Sequence, residues 1–178
     1  MPTTPVQPMV VVLMGVSGSG KSTIGEALSD KLGWPFRDAD SFHPAGNVEK
    51  MSRGVPLTDE DRWPWLDAIS AWIAARLRAG ESGIVSCSAL KRAYRARIVA
   101  ASEGVRLVYL KGDFELIAGR LTARKGHFMP ASLLRSQFEA LEEPGPEEDA
   151  LTVSVAREPA ALVAEIIARL GLPIQPGR

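Results

Sequence analysis

Residues 15–22 read Gly-Val-Ser-Gly-Ser-Gly-Lys-Ser, which matches the phosphate-binding loop pattern of glycine, four residues, then Gly-Lys-Ser. Such a loop joins a buried strand to the start of a helix. Residues 9–14 form a continuous apolar run typical of a strand buried on both faces, and residues 21–32 have helical spacing closed by Gly33. The motif therefore lies between a predicted strand and a predicted helix, as a phosphate-binding loop requires.

The chemistry of this loop predicts nucleotide binding. Glycines let successive backbone N–H groups turn toward a phosphate, and the following helix directs its positive N-terminus to the same place. Lys21 supplies a cation between the β- and γ-phosphates, and the Ser22 hydroxyl is a ligand for Mg²⁺. We therefore predict ATP and Mg²⁺ as cofactors, bound by Gly15, Val16, Ser17, Gly18, Ser19, Gly20, Lys21, Ser22 and Thr23.

The rest of the chain alternates apolar strand-like runs with segments of helical spacing. The predicted strands are residues 9–14, 35–37, 83–87, 106–110 and 151–155. The predicted helices are residues 21–32, 63–78, 90–101, 113–123, 130–141 and 159–170. This alternation predicts a three-layer α/β fold with a mostly parallel sheet of about five strands between two helical layers, and the loop motif after the first strand marks it as a P-loop fold.

The chain length and the alternation of strands and helices predict a single domain over residues 9–170 of the 178, with a disordered tail at 1–8 and a second tail at 171–178. Two segments break the alternation and are predicted to be mobile. Residues 38–61 are rich in glycine, proline and charge, and residues 122–130 are suited to a lid over the site.

Composition excludes several partner classes. Lys plus Arg and Asp plus Glu both number 21, so no global field attracts nucleic acid or an anionic membrane. The apolar run at residues 9–14 is too short to span a bilayer. Cys87 is the only cysteine, which excludes an internal disulfide and favours a cytoplasmic location, with the thiol itself a small buried strand residue.

The carboxylates separate this chain from other P-loop classes. The guanine-reading motif Asn-Lys-x-Asp is absent, and the third predicted strand ends in Ser86-Cys87-Ser88 rather than in a metal-binding aspartate. Asp38 and Asp40 instead follow the second predicted strand. This arrangement resembles the nucleoside monophosphate kinases and shikimate kinases, which bind their acceptor on the same side.

Over residues 9–169 the chain resembles the small P-loop gluconokinases. The resemblance lies in several blocks in order: residues 15–23, Asp38-Ala39-Asp40 with His43-Pro44, 47–57, 59–66, 87–95, 120–129 and 136–144. It implies transfer of phosphate from ATP to D-gluconate by direct in-line displacement, and it is compatible with a homodimer. Two residues depart from the family: Ala39 replaces a glycine and Phe42 a leucine.

Residue roles follow from the chemistry and the resemblance together. Lys21, Asp40 and Arg124 are the predicted catalytic residues, with Asp40 as the general base and Asp38 holding Mg²⁺ through water. Arg120 and Arg124 lie one helical turn apart and, as in related kinases, would close over the nucleotide. Predicted acceptor ligands are Asp40, His43, Arg53, Lys91, Arg92 and His127, since an anionic substrate needs local cations in a neutral protein.

Simpler interpretations stay open for these residues. Asp38 and Asp40 are also suited to a helix N-cap or a solvated loop, the histidines to loop packing, and the cations to an exposed helix face. The tryptophans at 63, 65 and 72 are most simply core residues. The alternative functions are a shikimate-type or nucleotide kinase, and a nucleotide-binding module without turnover.

Overall fold

The computed structural model describes residues 6–99, 103–123 and 131–176. Its centre is one sheet of five strands, all parallel, in the order β2-β3-β1-β4-β5. The strands are β1 (Val10–Met14), β2 (Phe36–Asp38), β3 (Gly83–Ser86), β4 (Val105–Lys111) and β5 (Leu151–Ser154). The predicted α/β fold and its strand number are therefore confirmed.

The sequence of β1 explains why it occupies the middle of the sheet. All five of its side chains are buried, and they alternate between two hydrophobic clusters. Val11 and Leu13 pack on one face, whereas Val10, Val12 and Met14 pack on the other. A strand that is apolar at every position can be satisfied only where helices cover both faces.

The helices form the two outer layers. They are α1 (Lys21–Leu32), α2 (Ala45–Ser52), α3 (Asp59–Arg78), α4 (Arg92–Val99), α5 (Phe114–Ala123), α6 (Ala131–Ala140) and α7 (Pro159–Leu170). Residues of α1 and α7 fill the cluster on the Leu13 face, and residues of α3 and α4 fill the cluster on the Met14 face. A third, smaller cluster joins the phosphate loop to α5 and α6 through Val16, Ile117 and Leu134.

The predicted start of α3 is wrong, because the helix begins at Asp59 rather than at residue 63. Thr58 caps it by accepting the N–H of Asp61, and the Asp61 carboxylate accepts the N–H of Thr58 in return. Three acidic residues then fill the first turn, which the helix dipole favours. The predicted helix began at Trp63, so it omitted this capped first turn, and Pro64 lies inside the observed helix.

Residues 38–61 contain more regular structure than the sequence predicted. A short 3₁₀ helix (Ala39–Phe42) follows β2 directly, and α2 comes next. The glycine, proline and charge content of this segment concealed helices of only one or two turns. Asp40 lies in the 3₁₀ helix and His43 directly follows it, so the segment fixes the position of the predicted base.

Several predictions concern the ends and the lid. Residues 124–130, most of the predicted lid, lie outside the described residues, while Thr122 and Ala123 form the end of α5. In the predicted C-terminal tail, Leu172 is buried and the N–H of Gln175 donates to the carbonyl of Lys31 at 3.0 Å. Within the described part of the chain, no helix has the length and apolarity to span a membrane.

Candidate active site

The phosphate loop connects β1 to α1 at the carboxyl edge of the sheet, where the strand order places β3 on one side and β4 on the other. Gly15, Gly18 and Gly20 have φ values of +152°, +81° and +96°, which residues with a Cβ rarely adopt. A Cβ on Gly15 would lie 2.7 Å from the Ser19 hydroxyl oxygen and 2.9 Å from the Leu110 carbonyl oxygen. The loop therefore keeps its shape only with glycine at these positions.

The interior of this loop is suited to an anion. The Ser19 side chain is buried, and its hydroxyl has no hydrogen-bond partner among the described residues. Helix α1 begins with Gly20 as its N-cap, so no side chain caps its first N–H groups. Unpaired donors at a helix N-terminus form a site for a phosphate group. The described residues thus fit the nucleotide phosphates that the sequence predicted.

Lys21 lies at the centre of the loop with its side chain half-buried. Its ammonium group donates to the carbonyls of Gly15 at 2.8 Å and Val16 at 3.0 Å. Burial lowers the pKa of Lys21 to about 8, and the carboxylates of Asp38 and Asp40 oppose this decrease. Lys21 and the two aspartates are therefore close enough to act on one another.

A cavity of about 400 Å³ opens beside the phosphate loop, between the end of α5 and the start of α7. Its lining includes Gly18, Thr23, Arg120, Arg157, Pro159 and Leu162. The structure thus places Arg120 next to the phosphate loop. Arg157 was missed because no motif marks the short connection between β5 and α7. A half-apolar cavity flanked by two guanidinium groups is suited to a planar aromatic base.

Asp38 and Asp40 follow the end of β2 and differ in what they contact. The Asp38 carboxylate caps the 3₁₀ helix by accepting the Asp40 N–H at 2.9 Å. The Asp40 side chain is 85% exposed. Even so, partial removal of water by the surrounding protein, followed by the negative charge of Asp38, raises the pKa of Asp40. Asp40 therefore presents an exposed carboxylate with increased basicity, whereas one carboxylate oxygen of Asp38 accepts the Asp40 N–H.

The family departure at Ala39 causes no strain. Among the described residues, Ala89 and Asp149 are the only non-glycine residues with positive φ. Ala39 is buried in the 3₁₀ helix, and its carbonyl accepts the indole N–H of Trp65 at 2.7 Å. The turn between the two aspartates accordingly accepts a methyl group at this position.

His43 is held on three sides beside Asp40. Its ring stacks on Trp65 with centroids 4.3 Å apart and planes inclined by 14°. Its Nδ1 lies 3.2 Å from the Asn47 amide nitrogen, which also donates to the Asp61 carbonyl. Because that nitrogen is a donor, Nδ1 accepts and the proton of the neutral ring is on Nε2. Nε2 lies 3.9 Å from the Asp40 carboxylate.

Burial lowers the pKa of His43, and Arg62 lowers it further against the opposing effect of Asp40. The ring is therefore a neutral donor that faces the predicted base. Asn47 and Trp65 were missed as site residues. The sequence favoured core packing for Trp65. In the structure Trp65 also contacts Ala39, which precedes Asp40, and His43, which follows it.

Lys91 belongs to a network at the end of β3 that the sequence did not predict. Its ammonium nitrogen lies 3.9 Å from the Asp59 carboxylate and 5.6 Å from the centre of the Tyr94 ring. The Tyr94 hydroxyl donates to Asp59 at 2.5 Å and accepts from Arg62 at 3.2 Å. Burial, followed by the Asp59 contact, raises the pKa of Tyr94 to about 12. The cluster combines two cations with one carboxylate and leaves one positive charge uncompensated.

A buried ion pair supports the segment that carries Lys91. Arg95 is 1% exposed and forms two hydrogen bonds with Glu148, at 2.7 Å and 3.1 Å. It also donates to the carbonyls of Ala89 at 2.9 Å and Leu90 at 3.2 Å. Ala89 has a φ of +46°, an unfavourable conformation for alanine. Arg95 therefore holds the bend between β3 and Lys91.

Arg53 and Arg92, the other two predicted acceptor ligands in the described residues, have exposed side chains with acidic partners. Arg53 lies 3.4 Å from Glu49 within α2 and is 65% exposed. Arg92 forms an ion pair with Glu147 and is 59% exposed. Lys21, Asp38, Asp40 and His43 thus influence one another electrostatically, whereas Arg53 and Arg92 are paired with Glu49 and Glu147.

Arg124 and His127 lie outside the described residues. In the described part of the chain, no group of three or more His, Cys, Asp and Glu residues could hold a metal ion. Mg²⁺ in kinases is held by one or two protein groups plus phosphate oxygens and water, and Ser22 with Asp38 would suffice for that type of site.

Comparison with known proteins finds several gluconokinases among the relatives of this chain. A family model described as an AAA domain matches residues 10–144. The gluconokinase of Gluconobacter oxydans (strain 621H) is 44% identical over 162 residues, which are 91% of each chain. The thermoresistant gluconokinase of Escherichia coli (strain K12) is 44% identical over 94% of this chain and 96% of its own. The crystal structure of a gluconokinase from Sinorhizobium meliloti 1021 has a TM-score of 0.83 and 48% identity, and the match covers 93% of both chains.

Proposed function

Because the chain belongs to the gluconokinase family, we propose that it transfers the γ-phosphoryl group of ATP to D-gluconate, giving ADP and 6-phospho-D-gluconate. One observation carries this proposal: the phosphate loop and the exposed Asp40 carboxylate both lie at the carboxyl edge of the parallel sheet. Lys21 and Asp40 are close enough that each affects the pKa of the other. A phosphate cradle with a basic carboxylate beside it is the minimum that phosphoryl transfer to an alcohol requires.

The proposed reaction is a direct in-line displacement. The C6 hydroxyl oxygen of gluconate bonds to the γ-phosphorus while the bond from that phosphorus to the β–γ bridging oxygen breaks. The hydroxyl proton passes to Asp40, and ADP leaves with the bridging oxygen. Asp40 suits this role because its pKa is raised and its side chain is exposed.

Other residues are assigned to charge and orientation. Lys21 would compensate the negative charge on the transferring group, and the neutral Nε2–H of His43 would orient Asp40 or a substrate hydroxyl. Arg120 and Arg157 would hold the base. Arg124 and His127, which lie outside the described residues, keep their predicted roles in the lid.

Mg²⁺ would be held by Ser22 and, through water, by Asp38, and when bound it neutralises charge on the phosphate oxygens. Lys91 is the preferred partner for the gluconate carboxylate, because its network has excess positive charge. Arg53 and Arg92 would first have to leave Glu49 and Glu147. A cytoplasmic location and a homodimer stay predictions from the sequence.

The test is ADP release from MgATP with gluconate, shikimate, glycerate and nucleoside monophosphates in parallel, and phosphorus NMR of the product. We expect turnover with gluconate and a phosphate monoester on its primary hydroxyl. Faster turnover with shikimate or a nucleotide would refute the acceptor assignment. ATP binding without ADP release for any acceptor would refute the assignment as a kinase and favour a nucleotide-binding module.

A further inference from the structure

Gln137 of α6 contacts the phosphate loop with both atoms of its side-chain amide. Its Oε1 accepts the backbone N–H of Ser17 at 2.7 Å, and its Nε2 donates to the Ser17 hydroxyl at 2.9 Å. The two residues are 120 positions apart in sequence. The orientation of the amide is fixed, because only its oxygen can accept a backbone N–H.

Helix α6 also contacts the other parts of the site. Its Leu134 is buried against Val16 of the loop and Ile117 of α5. Just past its end, the N–H of Glu142 donates to the carbonyl of Leu90 at 2.8 Å. The helix therefore begins after the predicted lid, passes the phosphate loop and ends at the segment that carries Lys91.

Ser17 lies at a sensitive point of the loop. The carbonyls of the two preceding residues, Gly15 and Val16, accept from Lys21. Gly18 follows it with a φ of +81°. Ser17 is therefore the position at which the chain turns from the lysine-bound segment into the glycine-rich one. A loop with this many glycines has little stiffness of its own, so an external contact at this position decides its geometry.

We propose that Gln137 is a positioning residue for phosphoryl transfer, which holds Ser17 through both amide atoms and thereby aligns the phosphate loop with the acceptor segment. The inference rests on the proposed kinase function. Gln137 need not touch either substrate. Its loss should reduce the transfer rate more than ATP affinity, because binding uses many donors whereas transfer depends on alignment.

The first measurement is hydrogen exchange of the Ser17 amide in the enzyme without substrates. In Gln137→Leu, which removes both contacts at similar size, this amide should exchange at least about tenfold faster. In Gln137→Glu the carboxylate still accepts from Ser17, so protection should be near that of the wild type. Ser136→Ala is the matched control, because the Ser136 hydroxyl donates to the Leu133 carbonyl within α6 and contacts no part of the phosphate loop among the described residues.

The second measurement is kinetic. We expect kcat of Gln137→Leu to fall by about tenfold to a hundredfold, with the Kd for ATP changed by less than about threefold. Gln137→Glu should show the opposite pattern, with weaker ATP binding from its added negative charge. Ser17→Ala should have less effect in the Gln137→Leu background than in the wild type, since the hydroxyl contact is already lost.

Unchanged Ser17 exchange in Gln137→Leu, or a kcat equal to that of Ser136→Ala, would overturn the positioning role. If Gln137→Leu does not fold, Gln137→Asn takes its place, because the shorter side chain cannot make both contacts at Ser17. Faster exchange of the Ser17 amide in Gln137→Asn supports the role, and wild-type protection contradicts it. The exchange measurement uses no gluconate. A wild-type enzyme inactive on gluconate would therefore refute the proposed function, while the exchange result would still decide whether Gln137 holds the loop.

Discussion

Replacing Glu148 with glutamine should destabilise the protein much more than the same replacement at its neighbour Glu147. Glu148 pairs with Arg95, which is 1% exposed, while Glu147 pairs with Arg92, which is 59% exposed. Glutamine keeps the size of glutamate, removes the charge and replaces one acceptor oxygen with a donor NH2 group. The two substitutions therefore compare a buried and a surface ion pair at consecutive positions in one protein.

The expected magnitudes follow from this burial. Removing one partner of a buried pair costs about 3–5 kcal/mol, because the other charge is left without compensation. Glu148 keeps 13% exposure, which favours the lower end, about 3 kcal/mol. For a chain of this size that corresponds to a decrease in Tm of about 6–12 °C. At Glu147 the cost should be about 0–1 kcal/mol.

Thermal and urea unfolding of the wild type, Glu148→Gln and Glu147→Gln would measure these differences, with kinetics on gluconate in parallel. Arg95 also holds the Ala89 and Leu90 carbonyls next to Lys91, so Glu148→Gln should in addition raise KM for gluconate. Equal Tm values for the two variants would refute the reasoning, because burial would then have no influence on how much an ion pair contributes to stability.

The pH dependence gives a second check on the same pair. Hydrogen bonds from Arg95 lower the pKa of Glu148 below its ordinary value of 4.5. A lowered carboxyl pKa contributes stability that is fully present above the unfolded value and is lost as pH falls through the folded one. The Tm difference between wild type and Glu148→Gln should be constant above about pH 5 and should shrink in more acidic buffer.

Four further predictions test the proposed site. Lys21→Ala should lower kcat by about 10²-fold or more while Tm changes little, and a variant that keeps a tenth of the wild-type rate would contradict the cradle assignment. Asp40→Asn should lower kcat far more than ATP affinity, and a near-normal kcat would move the base elsewhere. In the wild type, kcat/KM should decrease as pH rises past about 8, where Lys21 loses its proton, and a flat profile to pH 9.5 would contradict this. Arg157→Ala should raise KM for ATP about threefold to tenfold at constant kcat, and an unchanged KM would exclude Arg157 from the base site.

The sequence predicted the sheet well, because buried parallel strands leave an unmistakable apolar pattern. The run at residues 9–14 was assigned to within one residue of Val10–Met14. Helix starts were less predictable. The true start of α3 depends on the reciprocal contact between Thr58 and Asp61, which the apolar spacing used to predict helices does not show. The short α2 has no apolar stripe long enough to be detected.

In the candidate active site, too, some features could be predicted from the sequence and others could not. By itself the sequence determined the phosphate loop, because Gly15, Gly18 and Gly20 are required by the backbone shape and Lys21 by the charge of the ligand. It also placed Asp40 on the correct side of the sheet, since parallel strands end at one edge. Only the tertiary structure decided the supporting contacts: Gln137 on Ser17, Glu148 on Arg95 and Trp65 on His43. Each joins residues far apart in the chain, and pairing over such distances leaves no local pattern because it depends on how the helices pack.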